Sequence, residues 1–261
     1  MIRAVYRAHT YSVRMAKDAF LYQKFFKPNF PAICHGIFAT YKEASASIPQ
    51  SCLTGFENEV APKVLQDHFM IWHQQDYPVA LWLSRIIQAN DTVFDYGGGL
   101  GRCYYAYRKY VPYPEGLHWQ VCDLETMMKQ GASLAEKRGA TTLSFTPEFS
   151  RSSECNILIS CGTLQYIEED LVANLARQAR KPRHVLINNL PMHDGAEYFT
   201  VQSSTHSLNP YRIFDRQKFI SGFEKIGYEL VDIWHCNREE HILFHPEKKG
   251  PFMGLYFKLI A

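Results

Sequence analysis

From residue 91 onward, short apolar runs alternate with longer amphipathic stretches. Thr92–Tyr96 is a short apolar run ending in glycines, and 117–124, 141–145, 156–161 and 184–190 follow as further strands. The run 156–161 is apolar throughout, as expected of a strand covered on both faces. Between the strands the period changes to that of a helix. Residues 125–138 stop at Gly139, a residue suited to the left-handed end of a helix. Residues 168–180 begin with acids and end with Arg177, Arg180 and Lys181 before Pro182, matching the helix dipole at both ends. Residues 215–226 place Phe219, Ile220, Phe223 and Ile226 on one face behind the N-cap candidate Asp215. Runs 228–235 and 254–260 are expected to pair as an antiparallel hairpin at the sheet edge, with 236–253 as a long connection.

The first ninety residues read differently. Segments 59–75 and 77–88 have helical spacing, and Pro28, Pro31, Pro49, Pro62 and Pro78 divide the region into short helices. Strands alternating with helices from 91 to 261 predict an α/β fold: a Rossmann-like, mostly parallel sheet flanked by helices, with a terminal antiparallel hairpin. Residues 1–90 are expected to form a helical cap or lid, and 91–261 the ligand-binding domain. Ligands of such sheets sit at the carboxyl ends of the strands, near the reversal of strand order.

A chain of 261 residues with 46% hydrophobic and 21% charged residues can bury a substantial core, so disorder is excluded as its overall state. The net charge of +2 is too small to predict a nucleic-acid partner, but it is unevenly placed. Residues 1–28 carry Arg3, Arg7, Arg14, Lys17, Lys24 and Lys27 against Asp18, leaving the rest at 22 cations against 25 acids. A basic amphipathic segment of this kind either touches an anionic membrane face or is an ordinary solvated helix face. The seven cysteines form no C-x-x-C pair, which predicts reduced thiols and a cytoplasmic setting.

The strongest chemical signal is Asp95-Tyr96-Gly97-Gly98-Gly99-Leu100-Gly101 at the end of the first α/β strand. Glycines allow a sharp turn and a close approach of backbone to ligand. The dinucleotide fingerprint fails, because its sixth position is Arg102, and no Gly-Lys-Ser/Thr follows for a phosphate-cradling loop. The remaining form, acid-x-G-x-G-x-G, is the one used for S-adenosylmethionine, with Asp95 able to accept from an ammonium group. Asp123, followed by Leu124, ends the second strand, where a carboxylate suits both ribose hydroxyls; a helix N-cap is the plainer and compatible role. Cys161 and Gly162 end the fourth strand and leave room beside the cofactor, while Gln165 and Tyr166 are placed to reach a substrate. The Asn/Asp-Pro-Pro-Tyr-like tetrad of enzymes that methylate base or amide nitrogens is absent here, which disfavours those targets.

These stretches, together with Leu186-Ile187-Asn188-Asn189-Leu190-Pro191, Asp194-Gly195 and Tyr211-Arg212-Ile213-Phe214, resemble a family of bacterial methyltransferases often found with surface-polysaccharide and O-antigen biosynthesis genes. The resemblance covers roughly residues 35–258. It implies a class I fold, S-adenosylmethionine as donor and a sugar hydroxyl as acceptor, with Asn188, Asn189, Tyr211 and Arg212 on the substrate side. Position 189 is Asn where such sequences often carry Arg, and residues 1–28 lie outside the match.

A sugar hydroxyl is a poor nucleophile, so a general base is expected. His193, just past the fifth strand, is the first candidate and His206 the second; both have a plainer reading as surface-loop histidines. His241 and His245 are four apart, but their strand-rich, Pro-bounded context would not put them on one helical face, and His68 and His73, five apart, fit no metal-ligand spacing. The expected activity is O-methylation of a sugar, glycan or nucleotide sugar. Methylation of a small natural product or lipid-linked hydroxyl is the alternative enzyme, and a non-catalytic cofactor-binding relative is the alternative of another class.

Overall fold

The computed structural model describes residues 2–27, 32–63, 71–204, 207–248 and 250–260. The strand-forming runs assemble one mixed sheet. Its central part has the order β4 (Leu143–Thr146), β3 (His118–Cys122), β2 (Thr92–Tyr96), β5 (Ile157–Cys161), β6 (His184–His193), β11 (Gly250–Leu259), β9 (Tyr228–Glu240). From β4 to β6 every pairing is parallel. β11 is antiparallel to both β6 and β9, so it lies between them and β9 takes the edge. The hairpin is therefore real, but its second strand is internal. Both strands run further than their apolar cores, which shortens the connection to 241–249.

Period-two alternation assigns each strand residue to one of two cores. Val93, Ile157, Ile159 and Leu186 face α3 (Asp76–Ile86) and α4 (Arg102–Tyr107), where Val79, Leu83, Tyr104 and Tyr107 close the layer. Phe94, Leu158, Val185 and Ile187 face α6 (Leu171–Ala176) and α7 (Arg216–Lys225). Phe223 of α7 stacks on Phe257 of β11 with ring centroids 4.1 Å apart. α5 (Glu125–Lys137) and α7 match their expected bounds within a residue, and the Asp215 side chain caps α7 through Lys218 N at 3.0 Å. The helix expected over 168–180 is only α6; its N-cap is Asp170, whose carboxylate accepts from Ala173 N at 2.8 Å. Glu168 and Glu169 thus belong to the preceding turn.

Four strands fall where no strand was expected. β1 (Cys34–Phe38), β7 (Tyr198–Ser203) and β8 (Leu208–Asp215) build a lateral extension with the short β10 (Ile242–Leu243). β8 joins the main sheet through Phe214 and Asp215 against Met192 and His193, β7 is antiparallel to β8 and to β1, and β1 is parallel to β10. The region before residue 90 is therefore not purely helical: between α1 (Ile2–Phe25) and α2 (Tyr41–Ala46) the chain forms β1, which belongs to the sheet and packs on α2. Of the helix expected over 59–75, residues 60–63 are helical and 71–73 are not, while 64–70 lie outside the described residues.

Candidate active site

The glycine run turns the chain sharply off β2. Gly97 and Gly99 have φ of +74° and +60°, a left-handed backbone that side chains with a Cβ rarely adopt. At Gly98 the reason is space: an added Cβ would lie 2.5 Å from the carboxyl carbon of Asp95. The loop is tied to the neighbouring strand tips. Gly97 N donates to Cys122 O at 2.8 Å, Thr163 Oγ1 donates to Gly97 O at 2.9 Å, and Gly99 N donates to Asp123 Oδ2 at 2.7 Å. The tips of β2, β3 and β5 are thereby locked around one cavity of about 850 Å³, within the size range of small-molecule sites.

Two carboxylates face this cavity across the bare backbone. Asp95 is fully buried; its Oδ2 accepts from Trp119 Nε1 at 3.1 Å, and its Oδ1 has no hydrogen-bond partner among the described residues. Burial pushes its pKa up to about 7, opposed by the Trp119 hydrogen bond and reinforced by the negative charge of Asp123. Asp123 accepts from Gly99 N through Oδ2 and from Leu124 N through Oδ1, at 2.7 Å each, which leaves a further lone pair on each oxygen. Burial raises its pKa, and the two backbone N–H groups pull it down.

Tyr96, Gly97, Gly98, Gly99, Leu124, Cys161, Gly162 and Tyr166 also line the cavity. Gly101 does not: it is the N-cap of α4 with φ +89°, so its role is to start that helix. The other expected substrate residues lie elsewhere. Asn188 is buried beneath α3, donating to Gln75 O at 3.0 Å and accepting from Trp234 Nε1 at 3.0 Å. Asn189 adopts φ +57° and tucks its amide against Gly162, and Gln165 is buried behind the turn. Tyr211 is fully buried and donates to Glu240 Oε1 at 2.8 Å inside the lateral extension. Arg212 lies behind the cavity wall between the rings of Phe199 and Phe214, with its guanidinium donating to Glu168 O at 2.7 Å. Its place is to hold the 167–169 turn rather than to meet a ligand.

His193 does not line the cavity either. Its Nε2 is 2.9 Å from Ala196 O within its own turn, and its ring packs edge-on against Tyr198. β6 carries it past the strand tips into the pairing with β8, so the chain distance that made it a strand-tip residue misleads. His206 lies outside the described residues.

What the sequence reading missed is the far end of the cavity. Tyr41 and Phe56 come from the N-terminal region, Glu168 and Glu169 from the turn after β5, and Asn209 with Pro210 from β8; Glu57, also unforeseen, lies at the other end, accepting from Thr126 N at 3.1 Å beside Asp123. Tyr166 links this wall to the lateral extension: its hydroxyl donates to Gln202 Oε1 at 2.6 Å, and Gln202 Nε2 donates to the buried Glu240 at 2.9 Å. Thr163 and Arg102 adjoin motifs already singled out, so proximity in sequence was a usable signal for them. No local signal marks Tyr41 or Phe56. The cavity is acidic, with Asp95, Asp123, Glu57, Glu168 and Glu169 against Arg102 and His73. The Arg102 guanidinium is itself held in a two-pronged pair by the buried Asp76, at 2.5 and 3.2 Å.

No family model and no curated protein matches the chain. Solved structures do. The Burkholderia thailandensis 1,6-didemethyltoxoflavin-N1-methyltransferase, crystallised with 1,6-didemethyltoxoflavin and S-adenosylhomocysteine, is 16% identical, with a TM-score of 0.50 over 77% of this chain and 88% of that one. An S-adenosylmethionine-dependent methyltransferase from Clostridium acetobutylicum is 8% identical, with a TM-score of 0.52 over 77% and 97%. The glycopeptide N-methyltransferase MtfA, complexed with S-adenosylmethionine, is 8% identical, with a TM-score of 0.51 over 73% and 96%. The chain therefore has the Rossmann-like fold of the S-adenosylmethionine-dependent methyltransferases.

Proposed function

We propose that this protein is an S-adenosylmethionine-dependent methyltransferase whose acceptor is a hydroxyl of an uncharged sugar or glycan. Asp95 supports the donor assignment most directly. A carboxylate oxygen that is fully buried and unpaired among the described residues, on a side chain that lines the cavity, is costly unless a ligand cation meets it. The ammonium of the donor's methionine part fits that oxygen, and Asp123, with spare lone pairs at the next strand tip, fits the ribose hydroxyls. S-adenosylmethionine, when bound, supplies a methyl group already activated on a sulfonium. The protein's own work is then to orient the acceptor and exclude water.

The far end of the cavity is suited to a polyol. The rings of Tyr41, Phe56 and Tyr166 offer flat apolar faces, and Glu168, Glu169 and Asn209 offer acceptors for hydroxyl protons. Burial raises the pKa of both Tyr41 and Tyr166, so they stay protonated and act as donors or packing surfaces. The groups able to take the hydroxyl proton are the carboxylates of Glu168 and Glu169. Residues 1–90 act as a cover in this reading, because Tyr41, Phe56, Glu57 and His73 come from them. Phosphates at this end would face Glu168 and Glu169, which argues against a nucleotide sugar.

A second reading, methylation of an amine, shares the same wall, since carboxylates beside aromatic rings also hold a cation. Incubation with labelled donor and a panel of neutral oligosaccharides, nucleotide sugars and polyamines, read by mass spectrometry, separates the two. A mass gain of one methyl on a neutral glycan is expected. Labelling of amines only would replace the first reading with the second, and absence of S-adenosylhomocysteine binding by calorimetry would end both.

A further inference from the structure

The basic segment at the N-terminus contributes none of the described residues that line the cavity, and its structure gives it a direction. α1 is pinned to the body through one side. Asp18 is fully buried, with its Oδ1 2.8 Å from His241 Nε2 and its Oδ2 accepting from Phe244 N at 2.9 Å. Phe25 is buried beside it, and Tyr22 packs on His35 with ring centroids 4.6 Å apart. Asp18 is the one acid among residues 1–28, and it is spent on this contact. The outward face of the helix is therefore left with cations and no counter-charge.

Interleaved with those cations are large apolar side chains in the open. Val13 and Phe20 are 56% and 55% exposed, seven residues apart and so on one stripe of the helix. Lys17 and Lys24, also seven apart, run beside that stripe and are exposed, and Lys24 Nζ lies 4.1 Å from the centroid of the Phe20 ring. Cations alone would suit any polyanion. Cations flanking exposed apolar residues suit a surface with anionic headgroups above an apolar layer.

We propose that α1 docks this protein on an anionic lipid bilayer, with Val13 and Phe20 entering the headgroup boundary and Lys17 and Lys24 meeting lipid phosphates. The attachment is peripheral: no described helix is long and apolar enough to cross a membrane. It is independent of the methyltransferase reading, because none of the described residues lining the cavity belongs to α1.

The test is co-sedimentation of the full chain with vesicles of phosphatidylcholine alone and of phosphatidylcholine with about one-third phosphatidylglycerol, at low and high salt. Binding is expected to the anionic vesicles only, and to fall at high salt. Removing both charges in Lys17→Ala/Lys24→Ala should weaken it about 25-fold, at roughly fivefold per cation. Phe20→Ser should weaken it as well, with helix content by circular dichroism and S-adenosylhomocysteine affinity retained in both variants. Equal binding to the two vesicle types, or none to either, overturns the proposal. So does tight binding to a single-stranded oligonucleotide that Phe20→Ser leaves unchanged, since that would make α1 a nucleic-acid contact.

Discussion

Replacing Asp95 by Asn should make the protein more stable at alkaline pH while weakening its affinity for the cofactor. Burial raises the Asp95 carboxyl from 3.8 to about 7. The folded state thus holds this proton more tightly than the unfolded chain, and stability falls as pH rises from about 4 to about 7, then levels off. Roughly 3 pH units correspond to about 4 kcal/mol lost to the ionised group at pH 8, against about 2 kcal/mol at pH 5. Asn carries no charge at either pH and still offers Trp119 Nε1 an acceptor. Its amide N–H would occupy the place of the unpaired Oδ1, at a cost of about 1–3 kcal/mol that does not depend on pH. The variant should therefore exceed the parent by about 1–3 kcal/mol at pH 8, and this difference should move against it by about 2–3 kcal/mol at pH 5. Urea denaturation at the two pH values measures both. Calorimetry at pH 8 should show S-adenosylhomocysteine affinity reduced by at least about tenfold, the loss of one charge-assisted contact. A stability difference that is the same at both pH values, or unchanged affinity, would refute the assignment of Asp95 as a buried, ligand-facing carboxylate.

In the parent protein the same titration predicts weaker S-adenosylhomocysteine binding as pH falls below about 7, approaching tenfold per unit, because the protonated carboxyl no longer attracts an ammonium; calorimetry from pH 6 to 8 reads this. Gly98→Ala should abolish binding with the fold retained by circular dichroism, since its Cβ would displace the Asp95 carboxylate. Arg212→Leu should raise KM for the acceptor and leave cofactor affinity near the parent value, because it frees the Glu168 carbonyl and the turn that carries the wall. His193→Ala should leave turnover unchanged in a methyl-transfer assay; a large loss would return that ring to the reaction.

The donor side was legible because its signals are local. Asp95, the glycines and Asp123 lie at the ends of strands whose apolar runs announce themselves, and positive φ or contact without a Cβ demands glycine whatever surrounds it. The flanking helices were readable for the same reason: Asp215 caps α7 within three residues of itself. The acceptor side was not. β7 is buried along its whole length yet carries Thr200, Gln202 and Ser203, and β8 carries Asn209 and Arg212, so neither alternates nor reads as apolar. Their polar groups are satisfied by partners far away in the chain: Thr200 by His35 O and Gln202 by Glu240.

The sequence by itself determined the period of the main strands and helices, the turn after β2 and the two carboxylates at the strand tips, because each follows from chemistry within a few residues. Only the tertiary structure decided that Tyr211 and Arg212 lie behind the wall, that His193 is carried past the cavity, and that Tyr41, Phe56 and Glu168 face it. Those outcomes depend on long-range pairing, as of β1 with β7, and such pairing is fixed by the burial it achieves rather than by any pattern inside either strand.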